Sequence, residues 1–196
     1  MAAARKPAPR RPPDFACSRT VVLVGMMGAG KTTIGRRLAP RIGLKFFDAD
    51  EEIQKAAGMS VADLFTAHGE TSFRHGEAQV IARLLQGPPH VLATGGGAIL
   101  DAGTRACIKE SAVSVWIRAD VDTLLKRATR RNTRPLLRDG DPRATLSRLL
   151  DARAPFYANA DITVDTRPGP HQRTVDAIVS ALKLRLGPAA ADRAAE

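Results

Sequence analysis

A chain of 196 residues, 44% hydrophobic and 26% charged, is long enough to bury one full core, and no apolar run in it nears the roughly 18 residues that a bilayer span requires. The formal charge of +10 attracts anions of any kind: nucleic acid, membrane phosphate, or small phosphorylated and carboxylated metabolites. Aromatic residues are sparse and do not interleave with the basic ones, so there is no base-stacking surface and nucleic acid is disfavoured.

Residues 1–18 carry Arg5, Lys6, Arg10 and Arg11 against Asp14, with prolines at 7, 9, 12 and 13. This stretch lacks the apolar segment of a secretory signal, and its prolines oppose the amphipathic helix of an organelle transit peptide. We expect a disordered basic tail there, a single domain over 19–187, and a flexible end over 188–196. Cys17 and Cys107 form neither a metal spacing nor a disulfide framework, which suits a reducing compartment and a cytoplasmic protein.

Along the body, apolar runs of strand length alternate with segments of helical period, the pattern of an α/β fold with a parallel sheet covered on both faces. The first predicted strand, Thr20 to Gly25, opens into "GMMGAGKT" (25–32), a full match to G-x-x-x-x-G-K-[ST] in the strand, loop, helix order this motif requires. Its glycines let successive backbone N–H groups turn toward phosphate, and the helix predicted from Lys31 to Ile42 adds its positive end. Gly28, Ala29, Gly30, Lys31, Thr32 and Thr33 therefore cradle a nucleoside triphosphate. Lys31 reaches the β and γ phosphates, and the Thr32 hydroxyl is a ligand for Mg²⁺.

The second strand, Lys45 to Asp48, ends in "FFDADEEI". Asp48 and Asp50 are two apart, so at an extended strand end both carboxylates point to one side, toward the edge where ligands bind. One use is local, since Asp48 and Glu51 have the spacing of a capping box. The other is chemical, since Mg²⁺ needs carboxylate help and a hydroxyl acceptor needs a partner. Helices are predicted around Asp50 to Ala57, over Val61 to Ala67, and over Glu70 to Gln86.

The third strand, His90 to Thr94, runs into "TGGGAIL", which is either a flexible turn or a place where Gly95, Gly96 and Gly97 let backbone approach a ligand closely. It lacks the terminal aspartate of a usual second metal-binding motif, so Asp48 is the expected replacement. A helix over Asp101 to Glu110, a strand over Ser114 to Arg118 and a helix over Asp120 to Arg127 follow. Then "ATRRNTRPLLRDGD" (128–141) breaks the alternation. Such an arginine-rich stretch is a solvated loop or a mobile flap that closes over phosphates. A helix over Pro142 to Tyr157, a strand over Asp161 to Val164, and a helix over Gln172 to Leu186 with Val175, Ile178, Val179, Leu182 and Leu186 on one stripe complete the chain. Arg74 and Arg153 are either surface ion-pair partners or, if both reach the site, forked donors for a carboxylate.

Taken in order, "GMMGAGKTTIGRRLA", "FFDADEEI", "FRHGE", "ATGGGA", "RPLL" and "RAPFY" resemble shikimate kinase over residues 19 to 185. The resemblance implies transfer of the ATP γ-phosphoryl group to the 3-hydroxyl of shikimate in aromatic amino-acid biosynthesis. It implies a P-loop kinase fold similar to nucleoside monophosphate kinases, with a five-stranded parallel sheet in 2-3-1-4-5 order and a mobile lid at about 128–141. It further implies ATP and Mg²⁺, no nucleic acid or membrane partner, and a monomer.

Carried over residue by residue, Lys31 and Thr32 resemble the phosphate and Mg²⁺ ligands, and Asp48 the metal-side aspartate acting through water. Asp50 resembles the aspartate that holds the shikimate hydroxyls and accepts the proton. Arg74 and Arg153 resemble the carboxylate clamp, Gly95 to Gly97 the strip beside the ring, and Arg134 the lid arginine over the γ-phosphate. Either Arg127 or Arg130 corresponds to the lid-side arginine near the nucleotide, and "TRPGP" resembles an adenine-contacting loop with Arg167 and Pro168. Two other readings stay open: a different small-acid kinase, such as a gluconate kinase, or a binding module that uses ATP only for conformational change.

Overall fold

The apolar run before the phosphate loop is the middle strand of the sheet. In the computed structural model, which describes residues 13–128 and 141–187, the strands are β1 (Thr20–Val24), β2 (Lys45–Asp48), β3 (His90–Ala93), β4 (Ala112–Arg118) and β5 (Ile162–Asp165). They pair in the order β2-β3-β1-β4-β5, all parallel, with Val22 in register with Leu92 on one side and Ser114 on the other. A strand covered on both faces needs apolar residues at every position rather than alternate ones. Accordingly β1 and β3 are buried along their whole length.

The covering helices are α1 (Lys31–Arg41), α2 (Ala49–Ala57), α3 (Val61–Leu85), α4 (Ala102–Ser111), α5 (Val121–Ala128), α6 (Pro142–Tyr157) and α7 (Gln172–Leu186). α1 lies against α7, and α3 against α4. The predicted stripe of α7 is its buried face, with Val175, Ile178, Val179 and Leu182 in the core and Leu186 at its margin. On α1 the inward residues are Ile34, Gly35, Leu38 and Ala39, the i, i+1, i+4, i+5 pattern of an amphipathic helix. A Cβ on Gly35 would lie 2.4 Å from the Phe46 ring, so this glycine sets how closely α1 approaches β2. Leu38 is fully buried, and Leu38→Ala is expected to cost about 2–5 kcal/mol of unfolding free energy, read as a lower midpoint in urea.

The two helices predicted over Val61 to Ala67 and Glu70 to Gln86 are the two arms of α3, separated at Gly69, whose non-helical φ of 75° and ψ of 169° only glycine adopts readily. Two expectations are corrected. β4 starts two residues early, at Ala112, because α4 ends directly into the strand with no turn residue to mark the change. β5 is displaced by one residue toward Asp165. Asp161 is outside the ladder because its N–H and carboxylate are bonded to Ser114, while Asp165 pairs across the sheet with Arg118.

Part of the segment expected to be a disordered tail, 1–18, is ordered within the described residues. Its inner end is docked: Asp14 N–H donates to the Arg41 carbonyl at 2.7 Å, and Asp14 pairs with the Arg41 guanidinium. Cys17 N–H donates to the Ile42 carbonyl at 3.1 Å, with Cys17 buried and Phe15 against the core. Burying those two side chains offsets the ordering cost of the segment. The expected lid, apart from its end residues Ala128 and Asp141, lies outside the described residues, as do Arg130 and Arg134.

Candidate active site

β1 ends at Val24 and the chain turns into α1 through the glycine-rich loop. Gly28 has φ 83°, and a Cβ there would lie 2.7 Å from the Leu124 carbonyl oxygen, so both its backbone angle and the packing of α5 demand glycine. Gly30 is the N-cap of α1. No side chain caps this helix and no acidic residue occupies its first turn, which leaves its N–H groups and positive end for an external anion. Lys31 is buried with Nζ 2.6 Å from the Gly25 carbonyl and 3.0 Å from that of Met26, folded against the loop it serves.

At the loop's edge toward β2, Thr32 Oγ1 donates to Asp48 Oδ2 at 2.7 Å. The other Asp48 oxygen accepts from the Asp50 N–H at 3.1 Å, capping α2. The local reading of Asp48 therefore holds, although the N–H it accepts from is that of Asp50 rather than Glu51. A hydroxyl and a carboxylate oxygen meeting beside a phosphate loop are hard donors suited to Mg²⁺, which is commonly held by one or two carboxylates, phosphate oxygens and water. Among the described residues no cluster of three or more His, Cys, Asp or Glu side chains could hold a metal ion.

The acceptor side is built where β3 ends. Arg153, on α6, is only 5% exposed and donates to the Gly96 carbonyl at 3.2 Å. Arg74, on α3, lies against Gly97, where a Cβ would be 2.5 Å from the guanidinium carbon. Gly95 would likewise place a Cβ 2.4 Å from Glu77 Oε1 and 3.4 Å from Asp50 Oδ1. Glu77 and Arg74 thus leave no room for a side chain at Gly95 and Gly97, while at Gly96 the nearest atom to a Cβ would be the Met27 N at 3.3 Å. Arg74 is also an ion-pair partner, of Glu70 at 3.1 Å and Glu77 at 2.6 Å on its own helix, while Arg153 is buried.

Two residues here escaped the sequence reading. Glu77 is 2% exposed, pairs with Arg74 at 2.6 Å, and has Oε1 without a hydrogen-bond partner among the described residues. Burial raises its pKa above the usual carboxylate range, outweighing the pull of Arg74, and nearby Asp50 adds to the rise. Burial also opposes the charge on Arg74, but there the Glu77 charge and hydrogen bond, with Glu70, prevail and raise it. Tyr157 is buried, donates to the Gly96 carbonyl at 2.5 Å, and has its pKa pushed up to about 12, chiefly by burial. The spacing of Arg74 and Glu77, one helical turn, was the available signal for the first. The second ends the "RAPFY" motif, but no role could be read for it from its type.

On the other side of β1, Arg127 is pinned by bonds to the carbonyls of Ala29 at 3.3 Å and Arg167 at 2.8 Å and to Thr166 Oγ1 at 3.3 Å. Arg167 and Pro168 are themselves exposed and do not line the cleft; their loop reaches it through His171. The cleft has a volume of about 230 Å³ and is lined by Gly28, Gly30, Lys31, Thr32, Thr33, Asp48, Asp50, Thr94, Gly95, Gly96, Arg127 and His171.

A phosphate loop at the centre of a 2-3-1-4-5 parallel sheet, with an aspartate and two arginines gathered at the neighbouring strand ends, is the arrangement of a P-loop kinase that phosphorylates a small molecule. The sequence profile described as "Shikimate kinase" matches residues 27–183. A shikimate kinase of Nitrobacter winogradskyi is 55% identical over 168 residues, covering 86% of this chain and 78% of that one. One from Paramagnetospirillum magneticum is 56% identical over 164 residues, covering 84% of each. Among solved structures, a shikimate kinase from Acinetobacter baumannii in complex with shikimate superposes with a TM-score of 0.83 at 37% identity, covering 86% of this chain and 94% of that one. The chain belongs to the shikimate kinase family, and it is an ATP-dependent kinase.

Proposed function

We propose that this cleft transfers the γ-phosphoryl group of ATP to the 3-hydroxyl of shikimate, giving shikimate 3-phosphate and ADP. The observation that carries the reading is the convergence of Asp50, Arg74 and Arg153 on Gly95–Gly97, directly beside the phosphate loop. One face of the cleft is lined by the phosphate loop and the adjoining one by Asp50, Gly95 and Gly96, with Arg153 against Gly96 and Arg74 against Gly97 at its margin.

Phosphoryl transfer passes through a loose transition state in most analyses, so positioning and charge neutralisation carry most of the rate. In this reading Lys31 leaves its loop carbonyls to meet the β and γ phosphates, and the N–H groups at the start of α1 hold the polyphosphate. Thr32 and Asp48 hold Mg²⁺, which when bound supplies positive charge to the phosphate oxygens. Asp50 orients the acceptor hydroxyl and takes its proton. Arg74 and Arg153 clamp the acceptor carboxylate, with buried Glu77 fixing the Arg74 fork, and the glycine strip admits the ring.

The resemblance adds Arg134, from a lid over residues 128–141, as a further charge on the migrating group. Lid closure excludes water and limits ATP hydrolysis. Of the two arginines proposed for the nucleotide side, the pinned position of Arg127 in the cleft supports that one. The unpaired thiols of Cys17 and Cys107 support a cytoplasmic enzyme, and a site assembled within one chain supports a monomer. No helix among the described residues is long and apolar enough to cross a membrane.

The test is phosphorylation of shikimate and of gluconate with ATP, followed by identification of the product. Shikimate 3-phosphate as the dominant product supports the reading. Preference for gluconate, or ATP turnover indifferent to shikimate, contradicts it.

A further inference from the structure

Gly96 is where the two halves of the cleft touch. A Cβ on it would be 3.3 Å from the Met27 nitrogen and 3.6 Å from the Gly25 carbonyl oxygen, both in the phosphate loop. Its neighbours Gly95 and Gly97 are packed against Glu77 and Arg74 on the acceptor side. The position of this one peptide therefore sets how far the acceptor side stands from the loop that holds the triphosphate.

The Gly96 carbonyl accepts from two side chains one turn apart on α6, Arg153 Nη1 at 3.2 Å and the Tyr157 hydroxyl at 2.5 Å. The two bonds are not equivalent. In the reading above the Arg153 fork serves the acceptor carboxylate, so its hold on Gly96 is shared with the substrate. Tyr157 is 1% exposed, does not line the cleft, and has no such second duty. Its ring stacks on Trp116 at 5.8 Å, and Trp116 is in register with Val24, the last residue of β1 before the phosphate loop. Its hydroxyl also lies 3.7 Å from Sδ of Met26, whose carbonyl takes the Lys31 ammonium at 3.0 Å. Burial pushes the Tyr157 pKa up to about 12, so the hydroxyl keeps its proton and donates throughout the neutral range.

We propose that Tyr157 is a positioning residue for phosphoryl transfer, its hydroxyl fixing the Gly96 peptide at the distance from the phosphate loop that brings the acceptor hydroxyl in line with the terminal phosphate. The inference deepens the kinase reading above and rests on it. Reacting atoms must be held about 3–3.5 Å apart, and a misplacement of about 1 Å can cost about 100-fold in rate. Each substrate keeps its own binding groups when the Tyr157 hydroxyl is lost, so the geometry between them suffers rather than the affinity for either.

Steady-state kinetics with ATP and shikimate, repeated with gluconate, tests this on the wild type and Tyr157→Phe at a temperature where circular dichroism shows both fully folded. Tyr157→Phe is expected to lose about 10-fold or more in kcat while the ATP and acceptor KM values stay within about threefold. A hydroxyl with a purely structural role would lower the melting temperature and leave kcat alone. A kcat within about twofold of wild type, or a loss carried entirely by KM, overturns the proposal. Tyr157 is the chain's only tyrosine, so incorporation of 3-fluorotyrosine gives one fluorine resonance. That resonance should shift when Mg·ADP is added and shift again with the acceptor acid, and a line that ignores either ligand overturns the proposal. If Tyr157→Phe does not fold, the fluorine resonance decides alone. Loss of kcat with gluconate as the preferred acceptor would defeat the functional reading and leave this result standing, whereas shikimate phosphorylated by Tyr157→Phe at the wild-type rate would do the reverse.

Discussion

Asp50→Asn is expected to bind ATP as the wild type does and to lose about 10²–10⁴-fold in kcat, the usual contribution of a positioned general base. Asp50 lies in the first turn of α2, with its N–H fixed by the Asp48 cap and its carboxylate at the Gly95 end of the glycine strip. It therefore faces the acceptor and stands apart from the loop that grips the polyphosphate. Replacing one oxygen with an amide keeps the shape and removes the proton-accepting charge. If turnover stayed within about tenfold of wild type, Asp50 would be no more than a hydrogen-bonding partner of the substrate.

The second large effect is on the acceptor. Arg153→Ala should raise the shikimate KM about 10- to 100-fold, the loss expected when hydrogen bonds to a charged partner are removed, and leave the ATP KM within about twofold. Arg153 is held between Gly96 and the Glu77 charge on the β3 side of the cleft, away from Arg127 and His171. Its removal also leaves Glu77 with one cation fewer, so thermal unfolding should accompany the kinetics. Arg153→Lys separates the contributions, since an ammonium keeps the charge but loses the fork, and its shikimate KM should fall between those of wild type and alanine. Equal changes in both KM values would contradict the carboxylate assignment.

How far these expectations were legible in the chain differs between elements. The phosphate loop could be read outright, because "GMMGAGKT" has to satisfy backbone angles, helix packing and anion binding at once, and few other sequences do so. β1 and β3 were legible for a related reason, since strands buried on both faces show continuous apolar runs. The α4–β4 junction was not, because Ser111 and Ala112 mark neither an end nor a beginning and tertiary pairing with Thr20 decides where the strand starts. The break at Gly69 was legible too, since a glycine between two apolar-periodic segments is where the backbone leaves the helical region, with φ 75° and ψ 169°.

The acceptor side was half legible. Asp50, Arg74, Arg153 and the three glycines could be named from type and resemblance, but the reason for Gly95 and Gly97, close approach by Glu77 and Arg74, exists only in three dimensions. Tyr157 and His171 had no role legible from their type, one ending α6 and the other sitting in a polar loop. For that loop the resemblance pointed to Arg167 and Pro168, and the side chain that lines the cleft is His171, a few positions on. Periodicity reports which face of an element is buried. It does not report which ends of different elements meet.

A crystal structure of the enzyme with shikimate and a non-hydrolysable ATP analogue tests the central claim most directly. The account predicts the shikimate carboxylate between Arg74 and Arg153, its 3-hydroxyl at Asp50, and the terminal phosphate facing that hydroxyl. A carboxylate bound away from both arginines, or a 3-hydroxyl turned from the terminal phosphate, would contradict it.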